Sequence, residues 1–530
     1  MISKALMPLS TVTTGAVIVA IIVGLVLYQF VRKIPPYEVY PKLPKLPIIG
    51  SREGEWLSKQ RAMWRNSVDV RTATQEAYQF TDQPCILPII DLGNPIIIPS
   101  TEISWYLDEP DSHISTIEHL RDSFQLDWTL TDPRIVEDDR PIHFLLISTK
   151  LTREINNLLP LLAGKIPSSL KDTWGTDAEN FKELCPMRDL PSLIGSVVNL
   201  AFVGAPACYN RDMVDNAIKA AYGLGINSII LRMTPQILRP LIAPLVTVSQ
   251  RIATWRFFKA LGPEVRRRLR DLETNPDSAS NYNDFLQWTI NAAVRNGDPY
   301  MMKPETIMGR VLMLDFLSIH TSTIALSHVL FDLAAGPPAV IEELRTEIST
   351  ALESHGGQWN KATLGSMPKL DSVFRESQRC SPPATIGSPK VVTAPEGVTT
   401  PSGLNLAYGT YLAILAYPVL HDPARFPEPD KFKPFRFAEL REDADQKGSK
   451  VEKARQAWTA TGKTYTTFGT GRHACPGRFF ASASLKLFLG HMLINYDIEK
   501  LLERPASLSV GMTLLPPFNA TIRIKARKGA

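Results

Sequence analysis

The sequence predicts a mainly helical domain with small β-sheets, set behind an N-terminal transmembrane helix. Three features of the 530 residues carry that expectation. Helical signatures dominate, and the longest runs from Pro304-Glu305 to a hard stop at Gly336-Pro337-Pro338. Strand-like apolar runs are few, near 84–100, 384–415 and 520–526. Val12 to Val31 is a stretch of twenty residues without a charge.

The uncharged stretch comes first in the chain. At ~1.5 Å rise per residue it spans ~30 Å, the thickness of a bilayer core. A cleaved signal peptide is the rival reading, but its apolar region is usually only ~7–15 residues. This segment is longer and ends in Tyr28, Gln29 and Phe30, with Arg32 and Lys33 just beyond it. Only Lys4 precedes it, while Arg32, Lys33, Lys42 and Lys45 follow. The excess of positive charge after the segment places that side in the cytosol. Pro35, Pro36, Pro41, Pro44 and Pro47 then forbid a continuous helix and make a stiff connector. The expected order is a lumenal N-terminus (1–11), an anchor (12–31), a Pro-rich hinge (32–50) and one large cytosolic domain (51–530).

Composition agrees with a single globular body. Hydrophobic residues make up 44% and charged residues 21%, too apolar for disorder. Lys+Arg 58 against Asp+Glu 53 leaves a net charge of +5, too balanced for a nucleic-acid binder. Cysteines 85, 185, 208, 380 and 475 are scattered and form no CxxC pair, which disfavours zinc ribbons and secreted disulfide scaffolds. Loops are expected at 273–281, 296–304 and 441–450.

The helix after Pro304 has a nearly uncharged middle and must run through the core. Ser318, His320, Thr321, Ser322 and Thr323 cluster there. Bonding of the hydroxyls back to the helix carbonyls is the plain reading; a polar site inside the core is the other.

The chemistry concentrates in residues 468–481, FGTGRHACPGRFFA. Gly469, Gly471 and Gly477 surround Cys475, and Pro476 can open the helix that follows. A cysteine just before a helix N-terminus meets positive dipole and free N–H groups, which favour thiolate. Thiolate binds soft metals. With no second cysteine nearby, the metal needs its other positions already filled, as in haem.

FGTGRHACPG resembles the haem-binding loop of the cytochrome P-450 monooxygenases. Three further pieces follow the family's order. Glu376-Ser-Gln-Arg379 resembles its Glu-x-x-Arg pair, on a helix that Ser366 and Pro368 can open. KPFRF at 433–437 resembles the segment whose arginine, here Arg436, completes the charge cluster. LSIHTS at 317–322 resembles the oxygen-binding groove, with Thr321 at the threonine position. The anchor and hinge are similar to the microsomal branch, and the wording GRHACPGRFFA to filamentous-fungal members of secondary, often terpenoid, metabolism.

The resemblance implies the P-450 fold and haem b with Cys475 as the axial iron ligand. It implies that Phe468, Gly469 and Gly477 line the thiolate side, and that His473, with Arg472 beside it, meets a haem propionate. Solvated loop charge is the alternative for those two. It implies a buried triad of Glu376, Arg379 and Arg436. His143, in the expected helix 140–155, stands at a second propionate position, although Ser148 replaces an arginine of related sequences; an ordinary surface role is the alternative for it. Thr321 is implied as the proton-handling hydroxyl. His320 replaces the usual acidic neighbour and either relays protons or is a bonded core histidine. Ser318 and Leu317 replace smaller residues and narrow the groove.

The implied activity is insertion of one oxygen atom from O2 into a hydrophobic small molecule, with electrons from NADPH through a cytochrome reductase at the endoplasmic reticulum membrane. The stretches 105–130, 312–322, 382–387 and 510–516 should line an apolar pocket. A terpenoid is the expected substrate class, with polyketides and alkaloids as alternatives. Two other readings keep the haem: an isomerase or dehydratase of an oxygenated lipid, and an anchored haem carrier or sensor.

Overall fold

The computed structural model describes residues 46–80, 82–136, 141–275, 277 and 281–528. The expected anchor (12–31) and most of the hinge (32–50) lie outside the described residues. The described chain is mainly helical with four small sheets.

One helix organises the rest. Pro304–Ala335 has Pro304 in its first turn and ends at Gly336. By length and mean hydropathy it could cross a membrane, yet 67% of its most apolar window is buried inside the protein. It is a core helix. The Pro186–Phe202 helix packs closely along it because Gly195 has no side chain. A Cβ at Gly195 would stand 2.9 Å from Val214 and 3.3 Å from Ile319.

The sheets frame the helical body. Strands β1 (Cys85–Ile86), β2 (Ile96–Ile97), β3 (Ile114–Ser115), β5 (Ile386–Val392) and β8 (Tyr411–Leu415) form one sheet in the order β1-β2-β8-β5-β3. Its β2–β8 pairing is parallel and the others antiparallel. Strands β4 (Lys182–Leu184), β9 (Tyr496–Ile498) and β12 (Ile522–Ala526) make an antiparallel sheet in the order β4-β12-β9. Two hairpins complete the set: β6 (Val398–Thr399) with β7 (Asn405–Leu406), and β10 (Leu508–Val510) with β11 (Thr513–Leu515).

Three sequence expectations are corrected. The 441–450 stretch is not a loop: helices Arg436–Gln446 and Lys450–Arg455 occupy most of it. Its acidic residues solvate a helix face while Ala444 is buried. Ser366 does not open the Glu-x-x-Arg helix; Met367 holds the cap position before Pro368–Cys380, and Ser366 ends the preceding short helix. The 140–155 helix is longer and irregular. It runs as Ile142–Leu146, a π-turn at Ile147–Leu151, and Thr152–Trp174. Such π-turns often mark functional sites.

Candidate active site

Cys475 sits in a loop that is folded onto itself. Gly469 donates to the Thr466 carbonyl at 2.8 Å, and the Cys475 N–H donates to the Phe468 carbonyl at 2.7 Å. Gly469 takes φ +70°, and a Cβ there would press within 3.3 Å of the His473 carbonyl. Gly477 caps the Arg478–Asn495 helix two residues after the cysteine. Phe468 packs on Trp458 at 5.5 Å between ring centroids, and Trp458 stacks on Phe374.

The N–H groups act on the thiol in the direction the sequence reading expects, but burial outweighs them. Burial raises its pKa above the ordinary value, and the backbone N–H groups of Gly477 and Arg478 together with the Arg478 charge offset this only in part. The helix end alone does not make a thiolate. A metal cation bound there would displace the proton and supply the missing charge.

A group of basic side chains lies beside the loop. His473 Nε2 is 2.8 Å from Asp111 Oδ1. Arg472 donates to the Asp108 carbonyl at 2.7 Å. Lys390 is almost fully buried and donates to the Tyr106 carbonyl at 3.0 Å. Burial pulls the Lys390 amine down to about 8 and also lowers His473. Sequence reasoning missed Lys390. Its signal was a lysine inside the apolar strand β5, where an amine needs a specific partner.

His143 has neither ring nitrogen paired in the described structure, although it is fully buried. Burial first, then the Arg310 charge, pulls it down to about 3. One turn later, Ile147 meets the cysteine loop, 3.7 Å from where a Gly477 Cβ would be.

Across the core stands the central helix. Thr321 is exposed, and its Oγ1 donates back to the Leu317 carbonyl at 2.7 Å. Ser318 reaches the Asp315 carbonyl at 3.5 Å. His320 turns toward another helix, its ring 4.3 Å from that of Tyr222 in Arg211–Met233. Burial pulls His320 down to about 4, with a backbone hydrogen bond to Ile218 opposing, so the imidazole is neutral near pH 7. The proposed pocket stretches meet in pairs. Phe124 packs edge-on against Phe316 at 5.3 Å, and Thr385 donates to the Met512 carbonyl at 2.8 Å through its N–H.

Glu376, Arg379 and Arg436 form a buried charge cluster. Arg379 grips Glu376 with two bonds of 2.8 and 2.9 Å, and Arg436 Nε adds a third at 3.0 Å. The spare guanidinium N–H groups go to the carbonyls of Leu420, Pro429 and Pro427.

The donor set defines which metal group could bind. Among the described residues, no cluster of three or more His, Cys, Asp or Glu is placed to hold a bare ion. A metal on Cys475 must bring its other ligands. His143, Thr467 Oγ1 and Arg478 Nε are buried without partners on the segments around that cysteine. These residues fit a metal-bearing macrocycle with polar edges.

Comparison with known proteins gives the same answer. The cytochrome P-450 family model matches residues 162–522. The cytochrome P-450 monooxygenase gloP of Glarea lozoyensis is 29% identical over 499 residues, covering 90% of each chain. The cytochrome P-450 monooxygenase htyF of Aspergillus rugulosus is 30% identical over 472 residues, 86% of this chain and 68% of that one. The cytochrome P-450 monooxygenase terK of Tolypocladium album is 32% identical over 416 residues, 77% and 76% of the two chains. The chain therefore belongs to the cytochrome P-450 family, whose members carry haem b on a cysteine thiolate.

Proposed function

We propose that this protein is a membrane-anchored monooxygenase of an apolar small molecule, a terpenoid or related fungal secondary metabolite, with Cys475 as the haem ligand. The observation that carries it is a lone cysteine held by its own loop at a helix N-terminus, with unpaired polar groups around it. Haem supplies activation of dioxygen and oxygen insertion into an unreactive C–H bond. The protein's residues do the rest. Lys390, Arg472, His473 and His143 would hold the acidic edge of the group. The Phe124–Phe316 contact and the Thr385–Met512 hydrogen bond would fix the walls of an apolar substrate pocket. Thr321 holds a proton at Oγ1 and can turn it from the Leu317 carbonyl toward the pocket. His320, packed on Tyr222, is neutral at pH 7, so it has one N–H and no charge to give up in that range.

Electrons enter from an NADPH-fed reductase at an open groove of about 560 Å³. Lys450, Arg455, Arg478 and Phe479 wall it, and Arg478 Nη1 bonds the Cys475 carbonyl at 2.9 Å. This basic wall suits an acidic partner. Residues 12–31 anchor the chain in the endoplasmic reticulum membrane. Exposed Ile226, Ile229, Ile237, Leu241, Leu245 and Trp255 support a second lipid contact, because no Asp or Glu stands between Asp215 and Glu264.

The test is product analysis from microsomes carrying the full chain and a reductase, fed candidate terpenoids under isotope-labelled dioxygen. Products with one labelled oxygen are expected. A rearranged or dehydrated product without label would favour the isomerase or dehydratase reading.

A further inference from the structure

Two atoms in the middle of the core lack partners in a complementary way. Asp315 on the central helix and Asn199 on the Pro186–Phe202 helix are both 0% exposed. Asn199 Nδ2 donates to Asp315 Oδ1 at 3.0 Å and to the Gly195 carbonyl at 2.9 Å. Asp315 Oδ2 and Asn199 Oδ1 remain, two buried acceptors without a donor. An ionised carboxylate in this place would have one hydrogen bond and no cation, which is costly in a dry interior. A single proton on Oδ2 answers both vacancies, because it can be donated to Asn199 Oδ1.

We infer that Asp315 is a neutral carboxylic acid, closed with Asn199 into a two-bond acid–amide ring that fixes the central helix ahead of the Thr321 groove. The surroundings favour this. Burial raises the carboxyl to about 7, only Asn199 opposes, and no charged side chain acts on it. Charges on the packed elements have other partners or face water. Arg188 pairs with Asp189 at the first turn of the Asn199 helix. Arg268 of Val248–Thr274 pairs with Asp284 and Glu264. Arg295 of Phe285–Asn296 is exposed. Arg310, on the same helix as Asp315, acts on His143. His320 faces Tyr222 of Arg211–Met233 and is neutral. The link matters for position because the Asp315 carbonyl also receives the Ser318 hydroxyl, the first polar group of the groove. The inference rests on nothing in the proposed reaction.

The test uses the full-length holoprotein and its Asp315→Asn and Asp315→Ala variants. An amide at 315 can make the same ring, so Asp315→Asn should keep haem content and spectrum. Asp315→Ala strands the Asn199 amide and should lower both stability and haem retention. The native state keeps a proton that the unfolded chain releases above its ordinary value of 3.8, so wild-type stability falls as pH rises toward about 7, then levels. Relative to Asp315→Asn, the wild-type unfolding constant should rise roughly fiftyfold from about pH 5 to about pH 7. A protonated-carboxyl carbonyl band in the infrared difference spectrum at about pH 6 should be present in wild type and absent in Asp315→Asn. Parallel pH profiles with no such band would overturn the inference, as would an Asp315→Asn variant as damaged as Asp315→Ala.

Discussion

Glu376 and His143 are equally hidden from water, yet their surroundings are opposite. Glu376 receives two bonds from Arg379, one from Arg436 and one from the Lys433 N–H. His143 has two ring nitrogens and no partner for either among the described residues. The first region is closed by its own atoms and needs nothing further. The second is left open on the segments that surround Cys475. Buried polar groups are nearly always paired, so the open region is where a guest belongs.

Three predictions bear on that contrast. The largest effect belongs to the closed region. Glu376→Ala or Arg379→Ala leaves a buried charge unpaired and should cost about 3–5 kcal/mol. Denaturant titration and haem content measure this, and normal values for both variants would erase the distinction. The open region should behave in the other sense. His143→Phe removes an unpaired buried imidazole, so the haem-free protein should gain about 1–3 kcal/mol while the holoprotein loses haem faster. The pH sign follows. The folded imidazole stays neutral to about 3, whereas the unfolded one charges below its ordinary 6.5. Wild-type stability should therefore fall as pH drops through that window, and His143→Phe should remove part of the fall. A haem-free variant that is less stable than wild type would mean that the imidazole is already satisfied.

The smallest effect on stability is at the groove. Thr321 is exposed and bonds only to its own helix, so Thr321→Val should change stability by at most about 0.5 kcal/mol. Its consequence should be catalytic, with more peroxide and less product per NADPH. His320→Phe keeps the ring against Tyr222, and coupling should not vary with pH between about 6 and 8, because the imidazole is already neutral. Bell-shaped coupling with an inflection in that window would return His320 to proton transfer.

Legibility in the sequence follows the same division. The Cys475 loop and the 32-residue central helix were readable because glycines, prolines and apolar runs act locally. Lys390 was not, because its partner, the Tyr106 carbonyl, is 284 positions away. His320 was ambiguous for a related reason. Sequence places it beside Thr321, while the packing of Tyr222 decides which way the ring faces. The short strands β3, β4 and β9 have only two or three residues, too few for a period to register. The lowered acidity of the Cys475 thiol was out of reach as well, since dipole direction is local and burial is not.

The carbon monoxide spectrum of the reduced protein tests the central claim most directly. Wild type should show the red-shifted Soret band of a thiolate-ligated haem. Cys475→Ser should lose that band, while Cys85→Ser, which alters a thiol buried in a different part of the core, should keep it. A Cys475→Ser protein that retains the band would contradict the assignment of the ligand and of the site built around it.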